Sequence, residues 1–168
     1  VSFVNDQIGV MKDNTLSVDV SYTIDLDNRE NKLSFGIKGS MNLLDVRYSD
    51  LNIYNPNDPK FSQDIDNQFS PNIGAGVYYH NEKSYLGLSV PNFLQTDRYD
   101  DNLYATMQTR MHFYLIGGHV FDLNPNLKFK PAFLLKAVEG APLQADITAN
   151  FLISDKFTLG AAYRWDAA

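Results

Sequence analysis

Between residues 15 and 25 the chain alternates without a break. Leu16, Val18, Val20, Tyr22 and Ile24 carry apolar bodies, while Thr15, Ser17, Asp19, Ser21, Thr23 and Asp25 are polar. Side chains of a strand point to opposite faces in turn, whereas a helix returns to one face only every 3.6 residues or so. Eleven residues of strict period two therefore specify a strand with one apolar and one wet face. The same period returns along the chain. Leu33, Phe35, Ile37 and Met41 stand against Lys32, Ser34, Lys38 and Ser40. Further on, Ile73, Ala75, Val77 and Tyr79 share a side, as do Leu86, Leu88 and Val90. Leu127, Phe129, Phe133 and Leu135 oppose Lys128, Lys130 and Lys136. Leu143, Ala145, Ile147, Ala149 and Phe151 oppose Gln144, Asp146, Thr148 and Asn150. Finally Phe157, Leu159, Ala161, Tyr163 and Trp165 oppose Thr158, Gly160 and Arg164. The stretch 110–121 is apolar on both faces, and alternation alone does not orient it. The expectation is about eight strands, most near the ~9–11 residues that cross a bilayer.

The connections sort by parity. Those at 27–31, 81–83, 122–126 and 154–156 are short. Between them fall long ones at 42–70 and 92–109 and an intermediate one at 138–142. Outer-membrane β-barrels join their strands by short periplasmic turns and longer outer loops in alternation. A soluble sandwich has no physical reason to do so. The predicted fold class is all-β, an antiparallel transmembrane outer-membrane β-barrel, with the four short turns on the periplasmic side. Residues 2–5 read as the tail of an earlier strand running outward, followed by a loop through Asn14. The last strand ends on the outer side at Trp165. The expectation is thus a single barrel domain over 1–168, incomplete at both ends.

Composition agrees where it speaks. Aromatic residues make up 13% of the chain, with 10 Tyr and 11 Phe, and such side chains suit a pleated surface. The mean hydropathy of −0.29 fits a sheet that shows one face to lipid and one to water. A net charge of −6 with a pI near 4.9 argues against a nucleic-acid partner. There is no cysteine, which excludes a disulfide framework and thiolate metal ligands. No apolar run reaches the ~20 residues of a spanning helix, and the first residues lack the basic start and apolar core of a signal peptide.

The residues that carry chemistry elsewhere do not assemble into a catalytic or cofactor set here. His80, His112 and His119 lie on separate strands or turns, without an acidic partner at ligand spacing, and read as ordinary strand residues. Asp58 and the pair Asp64 and Asp66 bring calcium to mind, but the turn Gly and closing Glu of an EF-hand loop are missing. The acidic run at 97–101 reads as a polar loop rather than an acid–base pair. No Ser/His/Asp set is supported, and no cofactor or metal is expected. The wet-face charges are better grounded: Asp19, Asp25, Lys38, Lys128, Lys130, Lys136, Asp146 and Arg164. A lipid-facing charge at mid-depth costs about 2–4 kcal/mol, so these side chains must face the lumen. There they pair across the interior, line a pore or hold a plug. Tyr22, Tyr79, Tyr163 and Trp165 suit an interfacial aromatic girdle.

Several ordered stretches carry a family resemblance. They begin with Lys32-Leu33-Ser34-Phe35-Gly36-Ile37-Lys38, then Phe69-Ser70-Pro71-Asn72-Ile73-Gly74-Ala75-Gly76-Val77-Tyr78-Tyr79, then Tyr85-Leu86-Gly87-Leu88-Ser89-Val90-Pro91-Asn92. Gly118-His119-Val120-Phe121-Asp122-Leu123 and Leu127-Lys128-Phe129-Lys130-Pro131 with Phe133-Leu134-Leu135-Lys136-Ala137 follow. The set closes with Gly140-Ala141-Pro142-Leu143, Asp155-Lys156-Phe157-Thr158-Leu159-Gly160 and Tyr163-Arg164-Trp165-Asp166. Each is only a strand or turn pattern, but in this order the set resembles the PorP/SprF family of the Bacteroidota type IX secretion system. The resemblance implies a non-enzymatic outer-membrane component of protein secretion and gliding. It implies help with export or surface attachment of specific cargo or adhesins, beside the translocon and periplasmic ring. A generic porin or small-solute channel is the alternative. The two long outer loops offer most of the area for a partner, with Phe61, Ile65 and Phe69 as anchors among polar residues.

Overall fold

The computed structural model describes residues 1–27, 30–50, 64–94 and 110–165. Ten strands follow one another: β1 (Ser2–Ile8), β2 (Met11–Asp27), β3 (Asn31–Val46), β4 (Ile65–His80), β5 (Ser84–Val90), β6 (His112–His119), β7 (Phe121–Asn124), β8 (Leu127–Val138), β9 (Gln144–Ile153) and β10 (Phe157–Trp165). Among the described residues one 3-10 turn, Tyr48–Asp50, accompanies them and no α-helix occurs. No helix among the described residues is long and apolar enough to cross a membrane, which says nothing about crossing by strands. The strands form one antiparallel sheet in the order β1-β2-β3-β4-β5-β6-β8-β9-β10, with β7 also paired to β8. Apart from β7, which continues β6 along β8, each strand lies beside its neighbour in sequence, the pattern of an up-and-down barrel wall.

All eight expected segments are strands, and the expected strand remnant is β1. The tenth strand arises because the 110–121 stretch is interrupted rather than short. Gly118 faces Ala132 and Phe121 faces Phe129, so β6 and β7 run along β8 in one register. They are parted only at Val120, whose amide donates to the Lys83 carbonyl at 2.7 Å.

Two compact units divide the chain. The first comprises Val1–Asp19, Lys38–Ile73 and Asn92–Arg110. Here three sequence boundaries are corrected. The expected loop through Asn14 is instead a tight hairpin, in which Ile8 faces Met11 across Gly9 and Val10. Gly9 supplies the positive φ, 59°, that a two-residue hairpin needs. The strand β3 continues to Val46 and β4 begins at Ile65, so the long connection is 47–64 rather than 42–70. The cause is physical. These extensions carry polar residues on both faces, so alternation fades while the backbone ladder continues. Asn5 donates to Asn14 at 2.5 Å, and Asn42 donates to both Asp13 and Thr15. Ser2 and Ser17 share a hydrogen bond at 2.8 Å. Leu44 and Val46, 3% and 2% exposed, are the most buried apolar side chains of this unit.

The second unit comprises Val20–Ile37, Gly74–Pro91 and Met111–Ala168. It holds the short turns. Asn81 accepts from the amides of Lys83 and Ser84 at 3.0 and 2.7 Å, an Asx turn that closes the β4–β5 hairpin. Ser154 and Asp155 both take positive φ, 52° and 53°, and Lys156 donates to Ile153 at 3.1 Å. That is the conformation two-residue hairpins favour. The parity rule holds from β2 onward: 28–30, 81–83, 125–126 and 154–156 are short, 47–64 and 91–111 are long, and 139–143 is intermediate. The β1–β2 hairpin, short where the rule asks for length, departs from it.

Candidate functional site

Register in the second unit decides which face each residue takes. Val77, Leu88, Leu115, Leu135 and Ala145 follow one another across β4, β5, β6, β8 and β9. Phe133, Ile147 and Tyr163 do the same across β8, β9 and β10. The apolar face is therefore continuous from β4 to β10. It is also open: Ile147, Leu159 and Tyr163 are 53%, 61% and 66% exposed. A sheet that leaves such side chains uncovered needs an apolar surrounding. Phe121, Phe129 and Phe151 stack in a row across β7, β8 and β9 beside the short turns, with centroids 6.3 and 4.7 Å apart. The girdle expectation named Tyr22, Tyr79, Tyr163 and Trp165 and missed this row. Its sequence signal is an aromatic two or three residues from each turn. Tyr163 and Trp165 are exposed near the end of β10. Tyr22 lies in the last third of β2, and Tyr79 is half-buried with its hydroxyl donating to Asn31 at 2.8 Å.

The opposite face carries the charges. Arg164 grips Asp146 through Nε and Nη2 at 2.6 and 3.1 Å, directly across β9 and β10. Near the turns Lys128 pairs with Asp155 at 2.8 Å and Lys83 with Asp122 at 2.7 Å. The Asp122 carboxylate raises the pKa of Lys83 in its turn. Lys130 and Lys136 sit differently, over the rings of Tyr85 at 5.4 Å and Tyr114 at 6.0 Å. Alternation had left β6 unoriented. Its register now sets Tyr114, Ile116 and Gly118 on this charged face, with Phe113, Leu115 and Gly117 on the apolar one.

Glycine makes room for the tyrosines. Tyr85 lies across from Gly118, where an added Cβ would come within 2.7 Å of the ring. Tyr78 lies across from Gly87 in the same way, at 2.9 Å. Each ring covers backbone that a bare glycine would leave open, a device that stabilises strands containing glycine. Sequence reading did not find these pairs, because they join residues on different strands. Gly118→Val should lift Tyr85 off the wall and cost about 1–3 kcal/mol by overpacking. Urea unfolding of the protein in micelles would measure it, and an unchanged midpoint would mean the ring has room elsewhere. A cleft of about 580 Å³ opens beside Tyr85, lined by Ile116, Ala132, Leu134, Thr148, Asp146 and Arg164 among others.

The predicted anchors divide. Phe61 lies outside the described residues, as do Asp58 and the acidic run at 97–101. Ile65 is the first residue of β4 and half-buried; Phe69 is exposed farther along it. Both are strand residues, so their placement in a loop is corrected. Asp64 is no free loop acid either. It accepts from the Ser49 amide at 2.8 Å and hydroxyl at 2.6 Å, and the Asn67 amide donates to Asp45 at 2.6 Å. These contacts clasp the two feet of the 47–64 connection. The Ser49 hydroxyl is the main cause that lowers the Asp64 pKa below its usual 3.8. A lowered carboxylate pKa stabilises the fold above the unfolded value and loses that contribution as pH falls through the folded one. Ser49→Ala should shift the Asp64 titration upward in carboxyl-carbon NMR; an unmoved curve would show that the amide alone holds it.

His119 shares a hydrogen bond with Ser84 at 2.6 Å, across β5 and β6, and packs edge-on against Phe121 at 4.3 Å. His80 lies 5.4 Å from Tyr78, and His112 stacks on Tyr114 at 6.3 Å. Among the described residues no three His, Cys, Asp or Glu side chains could hold a metal ion.

Comparison with known proteins adds the family. No curated protein and no solved structure matches the chain. The family model described as "Type IX secretion system membrane protein PorP/SprF" matches residues 1–168. Period-two strands, neighbour-to-neighbour pairing and an uncovered apolar face are what a membrane protein of this kind requires, and the chain belongs to the PorP/SprF family of type IX secretion system membrane proteins.

Proposed function

We propose that this chain forms part of a single outer-membrane β-barrel domain that assists export or surface attachment of specific cargo in type IX secretion. It does so as a non-enzymatic, partner-binding component beside the translocon and periplasmic ring. The observation that carries the reading is the uncovered apolar face from β4 to β10, with its charges confined to the other face, in a chain of this family. Deleting the gene should abolish surface display of a narrow set of type IX cargo while the rest of secretion continues. Loss of all type IX export would assign the chain to the translocon itself.

Loop parity sets the orientation. Cysteine placed within 57–63 should be labelled on intact cells, and cysteine at Glu30 or Glu82 only after the outer membrane is breached. The reverse pattern would invert the topology. The porin reading draws on the charged inner face and has its own test. An open channel would conduct in planar bilayers, whereas a secretion accessory with a filled lumen would not.

A further inference from the structure

We propose that the charged face of β5–β10 is a binding surface for an acidic peptide segment that also carries apolar side chains. It is distinct from the loops considered above and does not rest on their role. Three observations converge. The first is charge. Asp146 is taken up by Arg164, Asp155 by Lys128 and Asp122 by Lys83. Among the described residues, no carboxylate lies within ion-pair distance of Lys130 or Lys136. This stretch of wall therefore keeps two unneutralised cations in a chain of net charge −6, and complementary charge is what an acidic partner would supply.

The second is the platform. Lys130 over Tyr85 and Lys136 over Tyr114 are held by ring faces, which attract a cation without neutralising it. Gly118 lets the Tyr85 ring lie against the wall, and Tyr78 continues the platform at 6.2 Å from it. The ammonium groups are thus positioned yet still able to donate to a carboxylate. The third is the cleft. Its volume of about 580 Å³ falls within the ~300–1,000 Å³ of ordinary ligand sites. Ile116 and Leu134 give it an apolar lining, and the Asp146–Arg164 pair forms a polar edge. A free inorganic anion would use the lysines and leave the apolar lining unused. A peptide with acidic residues around an aromatic or aliphatic one engages both.

The test uses the whole protein in detergent micelles and a fluorescein-labelled peptide of alternating Glu and Phe. The peptide should bind, and the Lys130→Gln/Lys136→Gln double variant should weaken it by at least about tenfold, since two charge-assisted contacts are lost. Lys12→Gln, an exposed lysine on β2 outside this stretch of wall, should leave binding unchanged. Ile116→Ser should weaken the Glu/Phe peptide but not polyglutamate. Equal binding of a Lys/Phe peptide would overturn the proposal. So would wild-type affinity in the double variant, or polyglutamate or dextran sulfate binding as tightly as the Glu/Phe peptide. If the double variant does not fold, Lys130→Gln alone gives the same reading at a smaller fold-change.

Discussion

Ile147→Arg and Leu159→Arg should each cost about 2–4 kcal/mol in the membrane-inserted protein, and Thr148→Arg and Thr158→Arg much less. Ile147 sits between Phe133 and Tyr163, and Leu159 faces Phe151, on the continuous apolar face. Both are more than half exposed, so no protein packing offsets a charge placed there. In a bilayer that exposure is to hydrocarbon, and the guanidinium must be desolvated or drag water inward. Thr148 and Thr158 are next in sequence but point the other way. Thr148 faces Ala132 and Ala162 on the charged face, where a guanidinium is not forced into hydrocarbon. Refolding into lipid vesicles against urea would give the four values. Comparable losses in both pairs would mean that both faces are packed, as between two sheets, and would end the barrel reading.

The contrast between those neighbours was legible from sequence because lipid imposes it residue by residue. Every odd position of β9 and β10 had to be apolar or small, so period two was written into the chain. Where that pressure ends, so does legibility. Met11–Asn14, Leu43–Val46 and Ile65–Phe69 are strand, yet a reading by alternation assigned them to loops. Their backbone hydrogen bonds need no particular side chains, and Asp13, Asn42 and Asp45 act through cross-strand contacts that no local pattern announces. The stretch 110–121 failed for the opposite reason. Its inner face bears Tyr114 and Ile116 as part of a platform, so both faces read as apolar until register oriented them. Tyr85 over Gly118 and Lys130 over Tyr85 were likewise invisible, since each joins different strands. The candidate surface is a property of register. Only its raw material, alternating lysines on β8, was on view in the sequence.

If the chain retains cargo as proposed, excising residues 51–63 should leave the protein folded and inserted but release that cargo from the cell surface into the medium. The clasp of Ser49 on Asp64, with Asn67 on Asp45, holds the feet of the connection together outside the excised part. A short Gly-Ser bridge can therefore close the gap without disturbing β3 or β4, because loop closure entropy changes slowly with length. Apart from the charged face, recognition has few other places to act. The described short turns are only two or three residues long, and Asn81, Lys83 and Asp155 in them are paired with Asn31, Asp122 and Lys128. Among the proposed anchors the excision removes Phe61 and keeps Ile65 and Phe69, so it separates a loop contact from a strand contact. Phe69→Ala completes the comparison. Phe69 is exposed on β4 and shares the odd-numbered alternation of Ile73 and Val77, which marks it for the membrane side. Loss of display in the excision with normal display in Phe69→Ala would place recognition in the loop. Loss in Phe69→Ala alone would move it to the strand. Normal display in both, with the protein inserted, would remove this end of the molecule from cargo selection and leave the charged inner face to perform it.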